Sequence, residues 1–208
     1  MGKSALDQWK GVLKMRVVLA SKSPRRKEIL ENLGVKFDIV VADADEYCTI
    51  ADPLERVKAL AAIKGNAVLD TISDRDDLLV IACDTLVYAS GEFLGKPRDR
   101  DDAERMMRML SGKAHSVVSG IYVYYNGRAV TEAEETRVVF DEMTDGEIEG
   151  YISTDEPYDK AGGYAVQGLA SLYVSALEGD YFNVVGLPVN KLYKTLKKEF
   201  SIDIESLK

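Results

Sequence analysis

The chain has 208 residues, 46% of them hydrophobic and 30% charged, with a net charge of −8. That is the composition of a globular protein long enough for one sizeable domain or two small lobes about a cleft. The acidic balance argues against a nucleic-acid-binding surface as the main function, though it leaves room for a local basic pocket.

No apolar run approaches the roughly 20 residues of a membrane span, and the opening MGKSALDQWKGVLK lacks the apolar core of a signal peptide. Cys48 and Cys83 are the only cysteines, too few for a disulfide framework, which points to a reducing cytoplasm. Two cysteines and one histidine also make a Cys/His zinc site a poor reading. A Ser-His-Asp triad would have to use His115, which falls in a strand beside Ser116 and reads as structural.

Residues 1–14 carry no clear pattern and read as an extension preceding a single domain over 15–208. Val17 to Ala20 form a short apolar run suited to a buried strand. Ser23 as N-cap and Pro24 at the first position then open a helix, with Ile29, Leu30 and Leu33 at helical spacing and Gly34 as its stop. Its first turn carries Arg25, Arg26 and Lys27, cations that oppose the helix dipole. They make sense there if an anion docks on the exposed N–H groups, the alternative being a solvated basic turn.

Phe37 to Val41 reads as a strand running into the acidic Asp43, Asp45 and Glu46. Three carboxylates past a strand end suggest a metal or proton-transfer site, or else a solvated turn. Asp43-x-Asp45 also brushes an aspartyl-phosphatase pattern, but Tyr47 stands where Thr or Val is wanted. Asp52, Pro53 and Glu55 start a helix reaching about Leu69, with Lys64 late in it, where a cation also suits the dipole.

Leu78 to Cys83 is a second buried strand, read as ending at Asp84-Thr85. An acid at the end of a central strand is where open α/β sheets place ligands, although a turn aspartate is the alternative. Leu86 to Tyr88 continues extended, Ser90-Gly91 turns, and Gly95-Lys96-Pro97 closes the loop. The run Gly91 to Lys96 is one residue short of a Walker A loop, and Pro97 replaces its Ser or Thr, which excludes a P-loop but leaves Lys96 able to reach a phosphate.

Asp101 to Leu110 reads as a helix with methionines as core filler. Two long strands follow, joined at Asn126-Gly127, a strong hairpin signal. Thr144 to Ile152 reads as a helix with a capping box. Ser153 to Gly168 is irregular and mixes acids with Lys160 and Gln167, at a length typical of functional loops. Leu169 to Leu177 and Tyr181 to Val185 read as strands, and a last helix opens at Leu187-Pro188 and ends near Phe200.

Alternating strands and helices with one central hairpin imply an α/β protein whose mixed, partly antiparallel sheet is flanked by helices. Cations for phosphates, and carboxylates for Mg²⁺ and a water, are the parts phosphoryl-transfer chemistry needs. The residues alone therefore point to a Mg²⁺-dependent enzyme acting on a phosphorylated small molecule.

Ala20-Ser-Lys-Ser-Pro-Arg-Arg-Lys-Glu28 resembles the opening signature of the Maf family of nucleoside triphosphate pyrophosphatases. Further similar motifs follow in order: Asp45-Glu46, Lys64, Ala82-Cys-Asp84-Thr85, Gly95-Lys-Pro97, Leu110-Ser-Gly112, Asp155-Glu-Pro157 through Tyr164, Gln167-Gly168 and Val185-Gly-Leu-Pro188. Cys83, Gly65 and Asp43-Ala44 are departures from its pattern that remove no charged group.

The resemblance covers Met15 to about Phe200. It implies a two-lobed fold like that of inosine-triphosphate pyrophosphatases, and hydrolysis of a nucleoside triphosphate to the monophosphate and diphosphate. It implies Mg²⁺ or Mn²⁺ held by Asp45, Glu46 and Asp84, with Asp84 as the base. Ser21, Arg26, Lys64, Lys96 and Lys160 would bind phosphates. Arg25, Thr85 and Gln167 are similar to the dTTP/UTP branch of the family, whose role could be the clearance of modified pyrimidine nucleotides. A carboxamide at Gln167 offers the donor and acceptor that the uracil edge requires, although a flipped carboxamide would also serve cytosine. The expected partner is a nucleoside triphosphate, with no nucleic acid and no membrane, and a homodimer is admitted. The rival readings are a non-catalytic nucleotide-binding regulator of cell division and an aspartyl-phosphate enzyme using Asp43 or Asp45.

Overall fold

The computed structural model describes residues 15–208, so the expected extension over 1–14 lies outside the described residues. One seven-stranded mixed sheet organises them. Its strands are β1 (Arg16–Ala20), β2 (Asp38–Ile39), β3 (Leu78–Ala89), β4 (Glu92–Leu94), β5 (Ala114–Tyr125), β6 (Arg128–Phe140) and β7 (Val174–Glu178). Their order is β2-β1-β3-β5-β6-β7, with β4 paired to β3. β1 runs parallel to β2 and β3, and every other pairing is antiparallel. The helices are α1 (Pro24–Asn32), α2 (Pro53–Thr71), α3 (Arg100–Leu110), α4 (Asp145–Ile152), α5 (Tyr181–Val185) and α6 (Val189–Phe200).

Strand alternation divides the apolar side chains into separate cores. Val17, Leu19, Leu79 and Ile81 face Leu30 of α1 and Leu192 and Leu196 of α6. Val18, Ala20, Val80 and Ala82 face Ala61 and Val68 of α2. Beyond these, the far halves of β3, β5 and β6 gather Val87, Val117 and Phe140 against α3 and α4, which makes a second lobe. The expected mixed α/β sheet with helices around it, in two lobes, is what the chain adopts.

Four elements differ from the sequence reading. β3 does not stop at Cys83 but runs to Ala89, because β5 pairs beside it without a break, Asp84 opposite Gly120 and Thr85 opposite Ser119. Phe37 to Val41 shrinks to the two-residue edge strand β2. Leu169 to Tyr173 is a 3-10 helix, and only Val174 to Glu178 joins the sheet, beside an irregularity at Val139/Phe140. Tyr181 to Val185 is helical, since the Asp180 carboxylate accepts from the Phe182 and Asn183 N–H groups and so caps a turn. The Asn126-Gly127 hairpin and the Thr144–Glu147 capping box form as expected.

α2 lies unusually close to the sheet, and two glycines permit it. A methyl group on Gly120 would sit 2.2 Å from the Val57 carbonyl oxygen, and one on Gly65 would sit 2.2 Å from the Tyr122 ring. Gly120→Ala is therefore expected to force α2 off the sheet and to cost about 1–3 kcal/mol, the usual penalty of overpacking, read as a lower denaturation midpoint.

His115 is buried in the second lobe, with Nε2 2.6 Å from the Tyr164 hydroxyl and its ring edge-on to Phe140. Burial lowers its pKa from 6.5 to about 4, so it folds as the neutral imidazole. Between those values the unfolded chain holds a proton that the folded chain refuses, so stability falls as pH drops. Going from pH 7 to pH 5 should cost about 2 kcal/mol through this group. Parallel melts of wild type and His115→Gln should show the extra acid sensitivity only in the wild type.

Candidate active site

β3 has β5 along the whole of one edge, but its other edge is shared. β1 pairs there only up to Ala20 opposite Ala82, and β4 ends opposite Val87. Residues 83–86 of β3 are left with no strand on that side. The notch opens into a cavity of about 940 Å³ between the lobes. Its lining includes Ser21, Arg25, Arg26, Glu46, Lys64, Asp84, Thr85, Lys96, Lys160 and Gln167. The sequence scatters these residues over 147 positions, and the fold brings them to one hollow. Asp45 is the exception among the expected site residues. It is exposed, it is not in the lining, and its carboxylate accepts from the Tyr47 N–H, whereas Asp43 does line the cavity.

Arg26 is fixed where β1 gives way to α1. Its Nε donates to the Gly186 carbonyl at 2.8 Å, and its two terminal nitrogens donate to Ser21 Oγ and Thr85 Oγ1, each at 3.1 Å. One N–H on each terminal nitrogen is still free for an incoming oxygen. Ser21 Oγ accepts from both Arg26 and the Ser23 N–H, so its own O–H is left to donate. The hydroxyls behind Arg26 form a directed chain. Ser119 Oγ donates to the Asn183 carbonyl at 3.0 Å. Its proton is then committed, so Thr85 Oγ1, 2.8 Å away, must be the donor to Ser119 while it accepts from Arg26. Thr85 thus seats an arginine. Ser119 was not expected from the sequence; its only signal was a hydroxyl within the apolar run Val117 to Val123.

On the other face of β3, Lys64 Nζ lies 2.5 Å from Asp84 Oδ1 and 3.1 Å from Glu46 Oε2. The lysine is 23% exposed and the aspartate 9%, so the pair is largely desolvated. Burial alone would lower the Lys64 pKa, but Asp84 and then Glu46 outweigh it and raise it, which keeps the ammonium charged. Asp84 Oδ2 has no hydrogen-bond partner among the described residues.

The loop opposite is differently arranged. Arg25 stands 3.9 Å from Asp159, Lys160 donates to the Glu156 carbonyl at 2.9 Å and also pairs with Asp159, and Gln167 is exposed with its carboxamide unengaged among the described residues. Lys96 is exposed at the cavity rim after β4. No cluster of three or more His, Cys, Asp or Glu suited to a metal occurs among the described residues. Arg56, on the first turns of α2, also lines the cavity and was not expected; it shares one helix face with Lys64 at multiples of four residues, a signal available in the sequence.

Comparison with known proteins gives the chain its relatives. A protein from Alkaliphilus metalliredigens (strain QYMF) named dTTP/UTP pyrophosphatase is 47% identical over 192 residues, covering 91% of this chain and 98% of that relative. One of the same name from Thermoanaerobacter sp. (strain X514) is 43% identical over 190 residues, covering 90% and 98%. In three dimensions, the Staphylococcus aureus Ham1 protein matches with a TM-score of 0.52 at 13% identity, covering 88% of this chain and 99% of that one, which speaks to the fold alone. The family profile described as Maf-like protein matches residues 16–199, and with relatives this similar over nearly their whole length the chain belongs to the Maf family.

Proposed function

We propose that this chain hydrolyses nucleoside triphosphates, with dTTP and UTP preferred, to the monophosphate and diphosphate. The observation that carries the reading is the single cavity that joins Arg26, Lys96 and Lys160 to the Lys64–Asp84 pair, in relatives of proteins named dTTP/UTP pyrophosphatase. In an acidic chain, such a concentration of cations serves a polyanion of small size.

Each residue then has a task that follows from its contacts. Arg26 presents two spare N–H groups, and Ser21 a spare O–H, to phosphate oxygens. Lys96 adds charge at the rim and Lys160, half-buried beside Asp159, adds it within the wall. Lys64 holds the Asp84 carboxylate by one oxygen, so that Oδ2 accepts the proton of a water attacking phosphorus. Gln167 reads the pyrimidine edge, Arg25 flanks it, and Thr85 acts on selectivity by fixing Arg26.

Glu46 and Asp84 both border Lys64, and two carboxylates completed by phosphate oxygens are a donor set that Mg²⁺ accepts. Mn²⁺ would be held by the same oxygens, and Asp45, one residue away, would join only by turning from Tyr47. When bound, such a cation neutralises phosphate charge and polarises the scissile centre.

No helix of the described residues is long and apolar enough to cross a membrane. The free cysteines Cys48 and Cys83 support a cytoplasmic setting, where the protein acts on free nucleotides, modified pyrimidines included, as a monomer or homodimer and without a nucleic-acid partner.

Asp84→Asn should lower pyrophosphate release from dTTP by about 10²- to 10⁴-fold. Orthophosphate as the direct product would instead indicate an aspartyl-phosphate enzyme, and nucleotide binding with no release at any metal concentration would indicate a sensor. Gln167→Glu should cut kcat/KM for dTTP and UTP by about ten- to a hundredfold, since the base would lose a donor and meet a carboxylate in its place, with the metal titration curve unmoved. Equal pyrimidine turnover in that variant would remove the base-reading role.

A further inference from the structure

Among the described residues, nearly every arginine makes an ion pair with a carboxylate: Arg16, Arg25, Arg75, Arg98, Arg100, Arg105, Arg108, Arg128 and Arg137. With 35 acidic against 27 basic residues, a partner is easily found. The two exceptions are Arg26 and Arg56, and both line the same cavity. Arg26 already has a task in the reading above; Arg56 has none.

Arg56 stands on α2 in line with Leu60, Lys64 and Val68, which together make one wall of the cavity. Its guanidinium carbon lies 4.3 Å from the centroid of the Phe93 ring on β4, which gives the planar group a platform. One terminal nitrogen donates to the Ile50 carbonyl at 3.3 Å, and Nε is buried with no partner. A guanidinium carries five donors, so most of this one's capacity is unspent. An oriented fork with its Nε buried beside a phosphate site is matched by a second set of anionic oxygens.

The order of groups along the cavity says which oxygens. Arg26 stands on α1 and is tied to the Gly186 carbonyl, and Gln167 follows Val166, which packs on the cores of both lobes. Asp84 meets Lys64 in the cavity wall, and Arg56 is two helical turns from Lys64 along α2. We propose that Arg56, seated on Phe93, binds the β- and γ-phosphates, the part of the substrate that departs as pyrophosphate. This rests on the pyrophosphatase reading, and it adds a grip for the leaving group two helical turns along α2 from the Lys64–Asp84 pair.

Calorimetric binding of pyrophosphate and of thymidine monophosphate to wild type, Arg56→Gln and Phe93→Leu tests this without turnover. Arg56→Gln should weaken pyrophosphate binding by about tenfold or more, the loss of a charge-assisted fork. Thymidine monophosphate binding should stay within about twofold, its contacts being remote from Arg56. Phe93→Leu, which keeps the charge and removes the platform, should weaken pyrophosphate by a smaller factor, and it carries the test if Arg56→Gln melts early. Unchanged pyrophosphate binding in both variants, or an equal loss for the monophosphate, would overturn the proposal. A wild type that binds pyrophosphate through Arg56 yet releases none from dTTP would overturn the activity and leave this assignment standing.

Discussion

The site depends on how closely α2 rests on β5 and β3. Gly120 and Gly65 remove the two side-chain stubs that would hold the helix away, and Lys64 then reaches Asp84 across the sheet face. The neighbouring cores fix the depth of that contact, because Val57, Ala61 and Val68 are buried against the strands. An ammonium and a carboxylate at this burial are costly to bring out of water unless geometry repays the loss. Glu46 supplies the further acceptor on the lysine. Packing on glycine and the charge state of the central pair are thus one constraint expressed twice.

The other half of the site comes from an interruption. A continuous strand beside β3 would have paired residues 83–86 and left no hollow. β1 ends at Ala20 and hands its chain to Ser21 and α1, while β4 returns along the same edge only as far as Leu94, opposite Val87. Arg26 enters this gap and ties β1's end, β3 and the Gly186 carbonyl together. The cations at the α1 N-terminus, which work against the helix dipole, are tolerated because one is held by three oxygens and another stands near Asp159.

Much of this was legible in the residues. Apolar runs, caps and turn pairs gave the mixed sheet, α1, α2, α3, α4 and the Asn126-Gly127 hairpin, since those signals are local. The short motifs pointed to the cavity-lining residues because chemistry restricts residue type there. What failed depended on distant partners. Asp84-Thr85 looks like a strand end, and only the facing Gly120 and Ser119 carry the strand through it. Tyr181 to Val185 has strand composition, but the Asp180 cap decides otherwise. Asp45 and Asp43 differ only in which side of an irregular turn they occupy, a distinction with no periodicity behind it. Ser119 was missed for the same reason, since it matters through Thr85 and Asn183, whereas the helical spacing of Arg56 to Lys64 was a local signal.

β3, β5 and β6 pass without a break from one lobe into the other. The two walls of the cleft therefore share their spine, and a hinge would have to bend three hydrogen-bonded strands at once. Large clamshell closure of the kind seen where lobes are joined by loose connectors is not open to this architecture. The Ser153–Gly168 segment and the acidic turn before α2 lie outside those strands and can shift without bending them.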